Sequence, residues 1–181
     1  QVQYVAQAGN FRKKGYEYTG ALNILKVALS YDYLWTNIRV KGGAYGCMSG
    51  FKHSGESFFV SYRDPHLKRT LDVYKGIPEY VRSFHADERE MTKYIIGTIS
   101  ELDVPMTPSA KGQTSESAWF NGITEEDFQQ ERDQVLDATL EDIHALADLV
   151  DAALKQNNIC VVGSEAAIQK EKELFRNVEN L

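Results

Sequence analysis

Ala44-Tyr45-Gly46-Cys47-Met48-Ser49-Gly50-Phe51 and Ser57-Phe58-Phe59-Val60-Ser61-Tyr62 flank His53-Ser54-Gly55-Glu56. Two β-prone runs around a short Gly-containing segment read as an antiparallel hairpin. Because strand side chains alternate, Phe58, Val60 and Tyr62 share one face of it. Upstream, residues 2–8 are β-branched and partly alternating, which predicts another strand. Tyr18, Leu22, Leu25 and Leu29 then recur at helical spacing, with Asn23, Lys26 and Ser30 on the other side. A helix starting near Thr19 therefore buries one face. Gly42 and Gly43 separate it from the hairpin.

Downstream of the hairpin, Asp64-Pro65 predicts a helix start, with the carboxylate capping N–H groups and proline at the first helical position. Leu67, Leu71, Tyr74, Ile77, Val81 and Phe84 keep one face apolar, and Pro78 kinks or divides the helix. Asp87 and Glu90 have capping-box spacing, as do Thr124 with Asp127 and Thr139 with Asp142, so each pair opens a helix. Between the first two boxes, residues 103–117 hold Pro105, Pro108 and Gly112 among small polar residues and read as a long connection of the functional kind. Residues 159–162 predict a buried strand, and Ser164 starts a terminal helix through Ile168, Leu174 and Phe175. This order implies an α+β two-layer domain, a mainly antiparallel sheet covered by helices on one face.

Composition agrees. The 181 residues are 43% hydrophobic and 25% charged, the mix of a globular domain large enough for a core of its own. The longest apolar run is the four residues 159–162, too short for a membrane span. Only Cys47 and Cys160 are present, which excludes a disulfide framework, leaves one bridge open, and suits a reducing compartment such as the cytoplasm or an organelle matrix. The chain begins with Gln1 and its first methionine is Met48, so a processed form or a piece of a longer polypeptide is expected. Residues 1–90 carry 13 Lys/Arg against 9 Asp/Glu, whereas residues 91–181 carry 7 against 17. The only three-residue basic run is Arg12-Lys13-Lys14, so nucleic acid is not an expected partner. The acidic excess reads as solvated helix faces.

Zinc hydrolases announce themselves by His-x-x-Glu-His or its inversion, where two imidazoles one turn apart share the metal and a glutamate activates water. Neither spacing occurs. The nearest stretch, His85-Ala86-Asp87-Glu88-Arg89, places an arginine where the second ligand would stand, and arginine cannot ligate a cation. Glu141 and His144 are a lone pair, and His53 and His66 have no spacing partner. Cys47 and Cys160 lie in apolar strands and read as packing residues. Gly163-Ser164-Glu165 reads as a turn with a cap, since it lacks the Lys-Ser/Thr of a phosphate cradle. What remains is Arg39-Val40-Lys41-Gly42-Gly43-Ala44-Tyr45-Gly46. An arginine and a tyrosine there supply a fixed cation and a neutral O–H donor, both suited to an oxyanion. Read locally, the plainer interpretation is a surface ion pair for Arg39 and a core aromatic for Tyr45.

The stretch from Tyr33 through Gly46 (YLWTNIRVKGGAYG), followed by Ser61-Tyr62-Arg63-Asp64-Pro65, Leu71 and Tyr74, resembles the C-terminal part of the presequence-protease branch of the pitrilysin/insulinase zinc metallopeptidases. Gly97-Thr98-Ile99, Leu102-Asp103-Val104-Pro105, Thr107-Pro108-Ser109-Ala110-Lys111-Gly112 and Gly122-Ile123-Thr124-Glu125-Glu126-Asp127 extend the likeness along most of the chain. The resemblance implies paired α+β domains closing around a chamber, with residues 1–181 as a single C-terminal, non-zinc-binding domain. It implies zinc in the full-length enzyme, held by the N-terminal half, and no metal here. It also implies an Arg and a Tyr that reach the substrate near the scissile bond, which Arg39 and Tyr45 match. Gly42 and Gly43, lacking side chains, would let the chain pass close to the peptide. The expected partners are the N-terminal domains of the same polypeptide and a peptide substrate, with neither nucleic acid nor membrane. The competing reading is a domain of an inactive family member that only binds or scaffolds. An independent small enzyme is disfavoured because no acid, base and nucleophile converge.

Overall fold

In the computed structural model, which describes residues 2–180, the hairpin forms one side of a four-stranded sheet. Strands β1 (Gln3–Asn10), β2 (Gly46–Phe51), β3 (Glu56–Asp64) and β4 (Asn158–Val162) lie in the order β2-β3-β1-β4, every neighbour antiparallel. The strand at 44–51 begins two residues later than expected, so Tyr45 precedes the sheet. Along β3, Ser57, Phe59 and Ser61 are buried beneath the helices, while Phe58, Val60 and Tyr62 share the opposite, half-exposed face.

The helices are α1 (Ala21–Ala28), α2 (Lys68–Lys75), α3 (Ile77–Ser83), α4 (Glu88–Leu102), α5 (Pro108–Asn121), α6 (Glu125–Leu136), α7 (Leu140–Leu154) and α8 (Glu165–Lys170). Val5 and Phe59 from the sheet join Leu22, Leu25, Leu71, Tyr74, Ile143 and Val150 from the helices in one buried cluster. Fully burying side chains of this size stabilises by about 1.5–3 kcal/mol each. Tyr74 also donates its hydroxyl to the Val5 carbonyl at 3.2 Å, pinning α2 to β1. The fold is therefore α+β, with its helices on one face of an antiparallel sheet.

All three capping boxes form as read, at Asp87/Glu90, Thr124/Asp127 and Thr139/Asp142. Several boundaries differ for identifiable reasons. The first helix starts at Ala21, with the Gly20 N–H satisfied by Gln134 Oε1 at 2.7 Å. Beyond Ala28 it continues as π-helical turns, Leu29–Tyr33 and Trp35–Val40. Asp64 does not cap a helix at Pro65. Buried at the end of β3, its carboxylate accepts from Ser61 Oγ at 2.6 Å, Thr70 Oγ1 at 2.7 Å and the His66 N–H at 2.8 Å, and α2 begins at Lys68. The expected connection over 103–117 is largely α5, opened by Thr107 accepting from the Ala110 N–H, with Pro108 in its first turn, and closed by Gly122 in the left-handed region. β4 is an edge strand of alternating exposure, and Cys160 on it is exposed rather than buried. The last helix ends at Lys170, with only a 3-10 turn, Lys172–Leu174, before extended Phe175.

The open question of a bridge is settled by topology. Cys47 and Cys160 are both free and sit on the two outer strands, on opposite faces of the sheet. Three inter-strand steps span about 14 Å, twice what a disulfide tolerates between Cα atoms.

Candidate functional site

The π-helical turns meet β2 through a tight loop at 41–45. Residues four apart on a helical turn are neighbours on one side of it, and Arg39 lies with its guanidinium 4.0 Å from the centroid of the Trp35 ring. The turns are closed by Gly43 N–H donating to the Arg39 carbonyl at 2.8 Å and Ala44 N–H to the Ile38 carbonyl at 3.1 Å. Gly43 does this with φ 77°, the left-handed conformation that glycine adopts without cost. At Gly42 a Cβ would fall 2.3 Å from the Ile38 carbonyl oxygen, so only glycine fits the return of the chain. Arg69 Nη2 donates to the Lys41 carbonyl at 3.0 Å, tying the loop to α2.

Tyr45 emerges from this loop 61% exposed. Its backbone N–H donates to the Arg63 carbonyl at 3.3 Å, and its ring centroid lies 5.6 Å from that of Tyr62 and 5.5 Å from the Arg63 guanidinium. Both plain local readings therefore fail. Tyr45 is not a core aromatic, and among the described residues no carboxylate forms an ion pair with exposed Arg39. The fold brings Arg39, at the end of the π-helical turns, close in sequence to Gly42, Gly43 and Tyr45 on the loop that follows, yet the two functional side chains rest on different supports, Arg39 on Trp35 and Tyr45 on Tyr62 and Arg63. Trp35 and Arg63 lie in the stretches that carry the family resemblance, but neither residue type nor spacing assigns them these supporting roles.

Electrostatically the rim is cationic. Arg39, Lys41, Arg63 and Arg69 surround the loop, and the nearby Asp64 is buried under its three hydrogen bonds. Just inside, burial pushes the Cys47 thiol up to about 11, against the opposing pull of Arg39.

Other chemistry-bearing residues are spent on structure. Buried Glu131 accepts from Tyr18 Oη and Asn23 Nδ2, both at 2.6 Å, and pairs with His53 Nε2 at 3.0 Å, fastening the hairpin tip to α6. His144 Nε2 contacts the Phe84 carbonyl at 2.7 Å. Among the described residues no group of three or more His, Cys, Asp or Glu side chains is placed to hold a metal ion, so these residues do not fit the zinc that the family implies. Among the described residues no helix is long and apolar enough to cross a membrane.

A family model described as the PreP C-terminal domain matches residues 1–165. Protein HypA of Clostridium perfringens is 47% identical over 180 residues, covering 99% of this chain and 18% of that protein. Presequence protease 1, chloroplastic/mitochondrial, of Arabidopsis thaliana is 38% identical over 165 residues, covering 91% of this chain and 15% of that protein. The chain thus spans less than a fifth of the length of these relatives. In fold it is similar to the solved peptidase M16 inactive domain from Pseudomonas fluorescens, with a TM-score of 0.58 at 18% identity over 88% of this chain and 39% of that one. With a matching family model over nine-tenths of its length and an antiparallel sheet under helices, the chain belongs to the PreP C-terminal domain family, the C-terminal domain of a presequence-protease-like member of the pitrilysin/insulinase zinc metallopeptidases.

Proposed function

We propose that this chain is the substrate-binding C-terminal domain of a zinc-dependent metalloendopeptidase that degrades unstructured peptides. Arg39 and Tyr45 contact the peptide at the scissile carbonyl, and Gly42 and Gly43 keep the intervening loop low enough for the peptide to pass. The observation that carries this reading is that both side chains stand exposed on the last π-helical turn and the loop that leaves it, where among the described residues no ion pair or side-chain hydrogen bond consumes their donors. A guanidinium and a phenol positioned in this way bind a carbonyl oxygen and hold it more strongly as negative charge develops on it. The catalytic metal belongs to N-terminal domains of the same polypeptide.

Packing against those domains is supported by the sheet face turned away from the helices. Tyr62, Val60 and Phe58 on β3 lie beside Gly46, Met48 and Gly50 on β2, and Ala6 and Ala8 continue the apolar rows on β1. Soluble single domains rarely leave such a surface bare. The compartment that fits free Cys47 and Cys160 is a reducing one, such as the cytoplasm or an organelle matrix.

In the parent protease, Arg39→Ala and Tyr45→Phe are each expected to lower kcat about 10²-fold, the usual cost of one oxyanion donor. Unchanged turnover in both variants contradicts the assignment. A parent without an inverted His-x-x-Glu-His motif makes the chain a non-catalytic binding module instead.

A further inference from the structure

Near its end β3 departs from regular pairing. β1 and β3 keep register from Asn10↔Glu56 to Val5↔Ser61, but the next pair is Gln3↔Asp64, so Tyr62 and Arg63 together oppose the single residue Tyr4. This is a β-bulge, a device that bends a strand and re-aims its side chains. Arg63 occupies it with φ 49°, left-handed backbone that side chains other than Gly, Asn and Asp seldom adopt. Such conformations persist where the surroundings over-determine them, and they concentrate at functional sites.

The bulge serves Tyr45. Through it the Arg63 guanidinium comes to lie 5.5 Å from the centroid of the Tyr45 ring, while its carbonyl accepts the Tyr45 N–H. The other bulge residue, Tyr62, sets its ring 5.6 Å from that of Tyr45 by filling the space over Gly46, where a Cβ would come within 2.4 Å of it. The core does not hold Tyr45, which is 61% exposed. Neighbouring Asp64 is committed to Ser61, Thr70 and His66, and among the described residues no carboxylate forms an ion pair with Arg63. The cation is therefore left to the ring face, an attraction that fixes ring orientation.

We propose that Arg63 is a positioning residue for Tyr45: its left-handed bulge conformation places the guanidinium on the Tyr45 ring and so fixes the direction in which the phenolic hydroxyl meets the bound peptide. This rests on the reading of Tyr45 as a peptide-contacting donor, and the experiment separates the two.

In the parent protease, turnover of an unstructured peptide is measured for Arg63→Asn, Arg63→Lys, Tyr45→Phe and the double variant Arg63→Asn/Tyr45→Phe. Asparagine tolerates left-handed backbone, so Arg63→Asn removes the cation without straining the bulge. It is expected to lower kcat about tenfold with little change in KM, and Arg63→Lys to recover part of the loss, since an ammonium attracts the ring face but cannot stack on it. In the Tyr45→Phe background Arg63→Asn is expected to cost nothing further, because no hydroxyl is left to aim. The unfolding midpoint of Arg63→Asn should equal or exceed that of the unsubstituted protein; a lower midpoint, like losses that add in the double variant, overturns the positioning role. Wild-type kcat in Arg63→Asn while Tyr45→Phe is slow overturns it too, leaving the reading of Tyr45 intact. Wild-type kcat in Tyr45→Phe overturns that reading and this proposal with it.

Discussion

Gly42 shows how a site can be held by a missing atom. Its Cβ would sit 2.3 Å from a backbone oxygen, which cannot swing aside as a side chain would. Gly42→Ala is therefore expected to destabilise the fold by about 1–3 kcal/mol, the usual range for forced overpacking, measured by denaturant unfolding; unchanged stability contradicts the close fit. The glycine pair was legible in the sequence as a break, but its work of ending a π-helical segment was not. Arg39 and Tyr45 were reached through family resemblance, because local chemistry favours an ion pair and a core aromatic, and exposure is not written in residue type. Arg63 was illegible altogether. Nothing in Ser61-Tyr62-Arg63-Asp64-Pro65 signals an arginine in left-handed backbone, since that conformation is imposed by the pairing of β3 with a strand more than fifty residues away.

At the scale of elements, what is local in sequence was legible. A capping box lies within four residues, and all three boxes form. In α7 the Thr139 hydroxyl accepts from the Asp142 N–H, and Asp142 Oδ2 accepts the Thr139 N–H at 2.8 Å. Thr139→Ala is expected to cost about 1 kcal/mol, read as a lower denaturant midpoint with an unchanged m-value. A loss near zero contradicts a working cap, since α7 carries Ile143, Leu146 and Val150 into the core. The misreadings also have physical causes. α5 looked like a connection because Pro105, Pro108 and Gly112 break helices in general, yet Pro108 falls in the first turn, where proline is tolerated. The π-helical turns escaped because their period is not the 3.6 that an amphipathic reading seeks, and they are the element that stacks Arg39 on Trp35.

For the whole molecule, the α+β class followed from the order of elements, whereas the strand order did not. β4 pairs with β1 across some 150 residues, a contact no local pattern specifies. That pairing makes β4 an edge and puts Cys160 on the outer face, and both contradict the buried-strand reading of a run that is apolar throughout. The same topology gives the molecule two unlike faces: helices over one side of the sheet, and on the other an apolar surface whose rim carries Tyr45 beside Arg63. The central claim is that peptide is bound along this rim. It is tested most directly by photo-crosslinking, with an unstructured peptide carrying a photoreactive group near its scissile bond bound to the parent protease and the attachment sites mapped. Crosslinks within this domain should fall on residues 35–46 and Arg63. Crosslinks confined to α5 or α8, with none on that rim, would contradict the claim.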